Sequence, residues 1–200
     1  MKRHLALAIS LAALMAPLPA LAQSADGSSA AGSIAPTIPE SQIEAAEFAS
    51  PYQFLSAATS VDEFAIQASA LAETKNASAE VKTIAAETAG LHQALMRGSL
   101  AAGKADGVEI AKPSVDGEQQ GLLGKLEALD GGDFDRAYVE AQLFVHQRAI
   151  AIYRGYAGKA DSLGQFATSA LPNVVAQYGK LVAFAEASGM SATPQEPAQN

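Results

Sequence analysis

The fold is decided by the stretch from Ser50 to Leu71, which reads SPYQFLSAATSVDEFAIQASAL. Serine followed by Pro51 is typical of a helix start, because serine caps the first turn and proline is tolerated at the first helical position. From there apolar residues recur at alternating spacings of three and four, the period of an amphipathic helix. They are Phe54, Ala57, Val61, Phe64, Ala68 and Leu71. This stretch therefore predicts a helix with one buried face.

The same period predicts a second long helix and then a short one. Ser78 is placed to cap the second helix, which we expect to end near Gly103. A loop with glycine and proline follows at 106–116, and the short helix is expected over about 117–129.

Two more long helices complete the pattern. Asp133 is expected to cap the third long helix, which ends at Gly158. Asp161 is expected to cap the fourth long helix. Pro172 falls inside the fourth helix and should kink it, because proline removes one backbone hydrogen bond. No stretch alternates with a period of two, so we expect an all-α protein. Four long helices with short connections favour an antiparallel four-helix bundle with one extra short helix.

The two ends of the chain differ from this helical region. Residues 1–22 have a positive start, an apolar core and small residues before a cut after Ala22, which predicts a cleaved secretory signal peptide and a periplasmic location. Residues 23–40 are rich in Ser, Ala, Gly and Pro and are expected to be a disordered linker. The helical domain is expected over 41–188, with a disordered tail over 189–200.

The composition of the chain argues against several classes of function. With 21 acidic and 13 basic residues the net charge is −8, which argues against nucleic-acid binding. Zero cysteines exclude a disulfide framework, a thiol nucleophile and a cysteine zinc site. No hydrolase elbow, His-Glu-x-x-His or phosphate loop is present. No segment after the signal peptide is apolar for long enough to span a membrane as a helix.

After the cut the chain would keep two histidines, His92 and His146, each at the edge of an apolar stripe. One interpretation is a pair of inward imidazoles from neighbouring helices, able to bind a transition metal or to anchor a polar pocket. In the second interpretation, each is a partly buried histidine that is hydrogen-bonded to a neighbouring helix. The second interpretation is favoured, since zinc normally takes three or four protein ligands. The chain also lacks the Glu-x-x-His motif of ferritin-like di-metal proteins.

Several short motifs, in their order and spacing, resemble one family over about residues 50–187. They are Phe54-Leu55, Glu80-Val81-Lys82, His92, Phe134-Asp135, Tyr138, His146 and Leu171-Pro172. The pattern is similar to the exported bacterial family called domain of unknown function 4142, whose members are often labelled "predicted outer-membrane protein". The resemblance implies a ferritin-like helical bundle and no particular activity. A barrel is not expected, because it would need alternating strands of ~10 residues. The family pattern favours a carboxylate where this chain has Gln67 and a histidine where it has Gln177.

These observations predict a candidate polar pocket inside the bundle. Its residues are His92, His146, Gln67, Gln142, Gln177, Asp135 and Tyr138. Asp135 has a second interpretation, as a favourable negative charge in the first turn of a helix.

The expected function is a periplasmic, non-enzymatic role, either in binding or as an envelope-stress accessory protein, with no cofactor. The partner would be an envelope component or a small ligand. The alternative is a ferritin-like protein that binds a transition metal through His92 and His146, with Gln142, Asp135 or Glu63. An enzyme of another type is supported by no feature of the sequence.

Overall fold

The structure of the protein is a computed structural model that describes residues 37–190, and within that range all regular secondary structure is helical and no strand occurs. The prediction of an all-α protein is therefore confirmed. Its helices are α1 (Pro51–Leu71), α2 (Ala79–Ala105), α3 (Gly117–Glu127), α4 (Gly131–Tyr156) and α5 (Ser162–Ala187), preceded by a 3-10 turn at Glu40–Gln42. The predicted signal peptide, most of the predicted linker and most of the predicted tail lie outside the described residues.

Side-chain caps begin three of the long helices where the sequence predicts them. Ser50 accepts a hydrogen bond from the backbone N–H three residues on, and Ser78 and Asp161 do the same for α2 and α5. The expectation for α4 was wrong, because that helix already begins at Gly131 and Asp133 lies in its first turn. The Gly131 N–H donates a hydrogen bond to a backbone carbonyl in the turn between α1 and α2, and this contact fixes the earlier start of α4.

The long helices bury their apolar faces against one another. Helix α1 packs against α2 and α4, α5 packs against the same two, and α3 covers α1 and α4. Phe54, Val61 and Phe64 of the predicted stripe are fully buried. Helices α2 and α5 approach closely at Gly98, where an added Cβ would lie 2.3 Å from the Phe166 ring. None of the helices formed by residues 37–190 has the length and apolarity required to cross a bilayer.

The segment of residues 37–49, here called the N-terminal strap, lies across α4 and α5. The guanidinium of Arg154 binds the carboxylate of Glu40, and the hydroxyl of Tyr178 donates to the carbonyl of Ile38 at 2.7 Å. The first four residues of the strap, which the composition assigns to the linker, thus contact the helical domain.

The strap depends on a glycine in α4. The Ala46 N–H donates to the Ala151 carbonyl at 2.9 Å, which brings the strap backbone directly onto the helix. An added Cβ on Gly155 would lie 1.9 Å from the Ala46 oxygen. Only glycine therefore permits this close approach.

Candidate functional site

The structure brings His92 of α2 and His146 of α4 together at the centre of the helical domain. Their Nε2 atoms are 3.2 Å apart and their ring planes are nearly perpendicular, at 86°. Both side chains are fully buried, with 0% exposure. The two imidazoles therefore face each other and not the solvent.

The outer nitrogen of His146 has a fixed role. Its Nδ1 is 2.8 Å from the backbone carbonyl of Gln142, one turn earlier on α4. Because a carbonyl only accepts, Nδ1 carries the hydrogen and donates it. In a neutral ring Nε2 then carries none, so the His146 Nε2 offers a lone pair to His92.

The outer nitrogen of His92 contacts Asp62 of α1, which sequence reasoning missed. The Nδ1–Oδ1 distance is 2.7 Å, and Asp62 is fully buried. The sequence does contain a signal for Asp62, because α1 has a second helical stripe that is shifted by one position from its apolar stripe. That stripe is Leu55, Ala58, Asp62, Ala65 and Ser69, all of them buried. A carboxylate inside such a stripe indicates a buried polar partner.

These contacts form a chain that we call the buried relay: Asp62, His92, His146 and the Gln142 carbonyl. Burial raises the pKa of the Asp62 carboxyl well above its ordinary value. Burial also lowers the pKa of His92, and burial together with the neighbouring His92 lowers that of His146. These directions favour an arrangement in which all three side chains are neutral. In this neutral arrangement the Asp62 hydroxyl donates to His92 Nδ1, and His92 Nε2 donates to His146 Nε2.

Two other predicted pocket residues lie in a polar layer of the same core. The Tyr138 hydroxyl is 2.9 Å from the Ser69 hydroxyl, and burial raises the pKa of Tyr138 to about 12. The Gln177 amide donates to the Thr88 hydroxyl at 2.9 Å. These pairs join α1 to α4 and α2 to α5, so they satisfy buried polar groups between helices.

The structure does not bring the remaining predicted residues to the histidines. Gln67 is exposed and donates to Glu63 on the same helix face at 2.6 Å. Asp135 accepts from the Ser78 N–H at 3.2 Å, so it supports the start of α2. The acid that contacts His92 is therefore Asp62, the residue next to the expected Glu63.

Several buried polar atoms near the relay have no hydrogen-bond partner among residues 37–190. They are Asp62 Oδ2, both side-chain polar atoms of Gln142 and the hydroxyl of Tyr153. Burial raises the pKa of the Tyr153 hydroxyl, and the Asp62 carboxyl raises it further. The phenol of Tyr153 therefore lies near that carboxyl. Each unpartnered buried group costs about 1–3 kcal/mol.

Within the described residues, no cluster of three or more His, Cys, Asp or Glu side chains has the geometry of a metal site. Four cavities of about 490, 370, 300 and 160 Å³ lie along the helices, and none of these four is lined by His92 or His146.

Comparison with known proteins identifies the family. The family model described as "Domain of unknown function (DUF4142)" matches residues 37–184, which begins at the strap and includes all five helices except the last residues of α5. No curated protein and no solved structure matches the chain. The match covers most of the chain and confirms the resemblance seen in its motifs, so the protein belongs to the family of Domain of unknown function (DUF4142).

Proposed function

We propose that this protein is exported to the periplasm, is cut after Ala22, and acts there as a non-enzymatic binding or envelope-stress accessory protein with a ferritin-like four-helix bundle. The packing of α1 and α5 against both α2 and α4 supports the bundle. The pattern of residues 1–22 supports export.

The enclosure of His92 and His146 is the observation that carries the non-enzymatic role. An acid–base catalyst must lie within hydrogen-bond reach of its substrate. Both imidazoles have 0% exposure, and their four nitrogens face Asp62, each other and the Gln142 carbonyl. A substrate would have to break the helix packing to reach them.

The test is a deletion strain complemented with either the full chain or a chain that lacks residues 2–22. We expect the full chain to be recovered from the periplasm with Gln23 as its first residue and to restore survival under detergent stress, and the shortened chain to fail. Recovery of the full chain from the cytosol with residues 1–22 attached would overturn export. Unchanged survival of the deletion strain under envelope stresses would overturn the accessory role.

A second candidate function is metal binding, and the separation of the two Nε2 atoms favours it. Two ring nitrogens bound to one ion, with metal–nitrogen bonds of about 2.0–2.1 Å, cannot be more than about 4 Å apart. The observed distance of 3.2 Å lies inside this limit.

A further inference from the structure

We propose that the cavity of about 300 Å³ formed by α1, the start of α3 and α4 is a saccharide-binding site, in which one sugar ring packs on the side chain of Tyr52. This cavity is here called the α1–α4 cavity. The inference goes beyond the proposed function, because the α1–α4 cavity does not include the buried relay and its binding does not depend on where the protein is located.

Tyr52 provides an aromatic ring on the wall of the α1–α4 cavity. It is 56% exposed, and among residues 37–190 only Ile38 is another large apolar residue with an exposed surface. Tyrosine rings are enriched at binding surfaces, since one ring offers both an apolar face and a polar hydroxyl. A sugar ring has a matching face of C–H groups and a rim of hydroxyl groups. Tyr52 therefore offers a surface on which such a ring can pack.

The same face of α1 carries polar side chains that can bind the hydroxyl groups of a sugar. Ser56 and Ser60 follow Tyr52 at intervals of four residues, so all three lie on one side of the helix, and all three line the cavity. Gln53 lines it as well, and its side-chain oxygen accepts from the Ala49 N–H at 2.8 Å. Its NH₂ group can therefore donate to a ligand, and the serine hydroxyls can donate and accept.

The side formed by α4 and the start of α3 holds a positioned guanidinium group. Arg148 Nη2 lies 2.8 Å from Asp116 Oδ2, and Arg148 Nη1 lies 3.2 Å from Glu118 Oε2. Its Cζ atom also lies 5.8 Å from the centre of the Phe144 ring. These contacts hold the guanidinium before a ligand arrives, which lowers the entropy cost of binding.

A buried amide behind the cavity has a donor that is not used. Gln119 is fully buried, and its side-chain oxygen accepts from the Ser60 hydroxyl at 2.7 Å and from the Asp116 N–H at 2.8 Å. Its Nε2 is buried without a hydrogen-bond partner among the described residues. Because Ser60 and Asp116 both line the cavity, this amide lies directly behind the cavity wall. An unpartnered buried donor is unfavourable, so we expect a ligand hydroxyl that enters beside Ser60 to accept from it.

The chemistry of the lining favours a neutral saccharide over other small molecules. Ala57 is the single lining residue without a polar side-chain group, so an apolar ligand would leave hydrogen-bonding groups unpaired. An anion would meet the Asp116 carboxylate together with the Arg148 guanidinium, and these two charges cancel. The volume is at the lower limit of known ligand sites, which is about 300 Å³. We therefore expect one ring of an oligosaccharide to be bound, with the remaining rings in solvent.

The experiment is calorimetric titration of the purified protein with two neutral trisaccharides, chitotriose and maltotriose. We expect saturable binding of at least one of them, with one molecule bound per chain. Tyr52→Ala should weaken this binding by about tenfold or more, because it removes the aromatic anchor, whereas Tyr52→Phe keeps the ring and should change it by less than about twofold. Ile38→Ala, at the other exposed large apolar residue, is the matched control and should bind as the wild type does. Folding of each variant is checked by circular dichroism.

Chemical-shift mapping of the wild type by nuclear magnetic resonance is the second measurement, and it needs no variant. Shifts of the backbone amides of Gln53, Ser56 and Ser60 on titration support the site, and shifts confined to another face of the protein overturn it. Absence of saturable binding at millimolar saccharide, or a folded Tyr52→Ala that binds as the wild type does, also overturns it. Displacement of the saccharide by inorganic phosphate would show an anion site and would overturn the neutral ligand. All these measurements use purified protein, so their failure leaves the export proposal and the accessory role unaffected.

Discussion

Replacement of Asp62 by asparagine and by alanine tests the hydrogen-bond arrangement of the buried relay. In the neutral arrangement the Asp62 hydroxyl donates to His92 Nδ1 at 2.7 Å. An asparagine side chain has almost the same shape, and its N–H can donate to the same nitrogen. Alanine has no donor and leaves Nδ1 of a fully buried ring without a partner.

The size of the two effects follows from these contacts. A buried group that loses its partner costs about 1–3 kcal/mol, so Asp62→Ala should lower the free energy of unfolding by at least this amount. Asp62→Asn keeps the hydrogen bond and should cost less than about 1 kcal/mol. For a helical domain of this size, a difference of about 2 kcal/mol corresponds to a melting-temperature difference of about 4–8 °C.

The assay is urea unfolding at pH 7, followed by circular dichroism, for the wild type and both variants. If Asp62→Asn is as unstable as Asp62→Ala, the relay is held by a charged carboxylate and a charged His92, and the neutral arrangement is wrong.

Two further predictions concern the packing of the strap and the start of α5. Gly155→Ala should destabilise the protein by about 1–2 kcal/mol, because the methyl group would displace the strap and break the Ala46 hydrogen bond. Gly179→Ala, which meets open space in α5, should instead stabilise it by about 0.5–1 kcal/mol. Urea midpoints measure both, and equal stabilisation by the two variants would contradict the role of the strap. Burial acts to raise the pKa of Asp106, but hydrogen bonds from the Ser162 side chain and from the Leu163 and Ser162 N–H groups at the start of α5 outweigh it and hold this pKa below its ordinary value of 3.8. The stability that Asp106 adds is thus present above pH 3.8 and is lost as the pH falls further. The free energy of unfolding of the wild type should therefore exceed that of Asp106→Ala by less at pH 3 than at pH 7. An excess that grows on acidification would refute the role of Asp106 at the start of α5.

The helices could be predicted from the sequence because their signals are local. The caps at Ser50, Ser78 and Asp161 each involve residues three positions apart, and the apolar stripes repeat within one helix. Such signals need no knowledge of the neighbouring helix.

The buried relay could be predicted only in part, because its contacts join distant residues. His92 and His146 attract attention as the two histidines of the helical region, but Asp62 contacts His92 across 30 positions of sequence. The choice between Gln67 and Asp62 depends on how far α1 is rotated about its axis. Gln67 and Asp62 are five residues apart. Because an α-helix has 3.6 residues per turn, their side chains point in clearly different directions.

The first four residues of the strap, 37–40, could not be predicted as part of the domain, which we expected to begin at residue 41. Their composition is that of the linker, and they have no repeating apolar pattern. One of their contacts joins Glu40 to Arg154, which lies 114 residues further along the chain. Periodicity cannot reveal a contact of this kind, although an arginine near the end of an apolar helix is a reason to look for an acidic partner.

The position of the Arg154–Glu40 contact has a mechanical consequence. The contact joins the strap to α4 ahead of Pro51, the first residue of α1. Tension applied to the chain before Thr37 would therefore act first on this ion pair and on the Tyr178–Ile38 hydrogen bond. The strap would peel away before any helix unwinds, and the hydrophobic core would not bear the load until these contacts had broken.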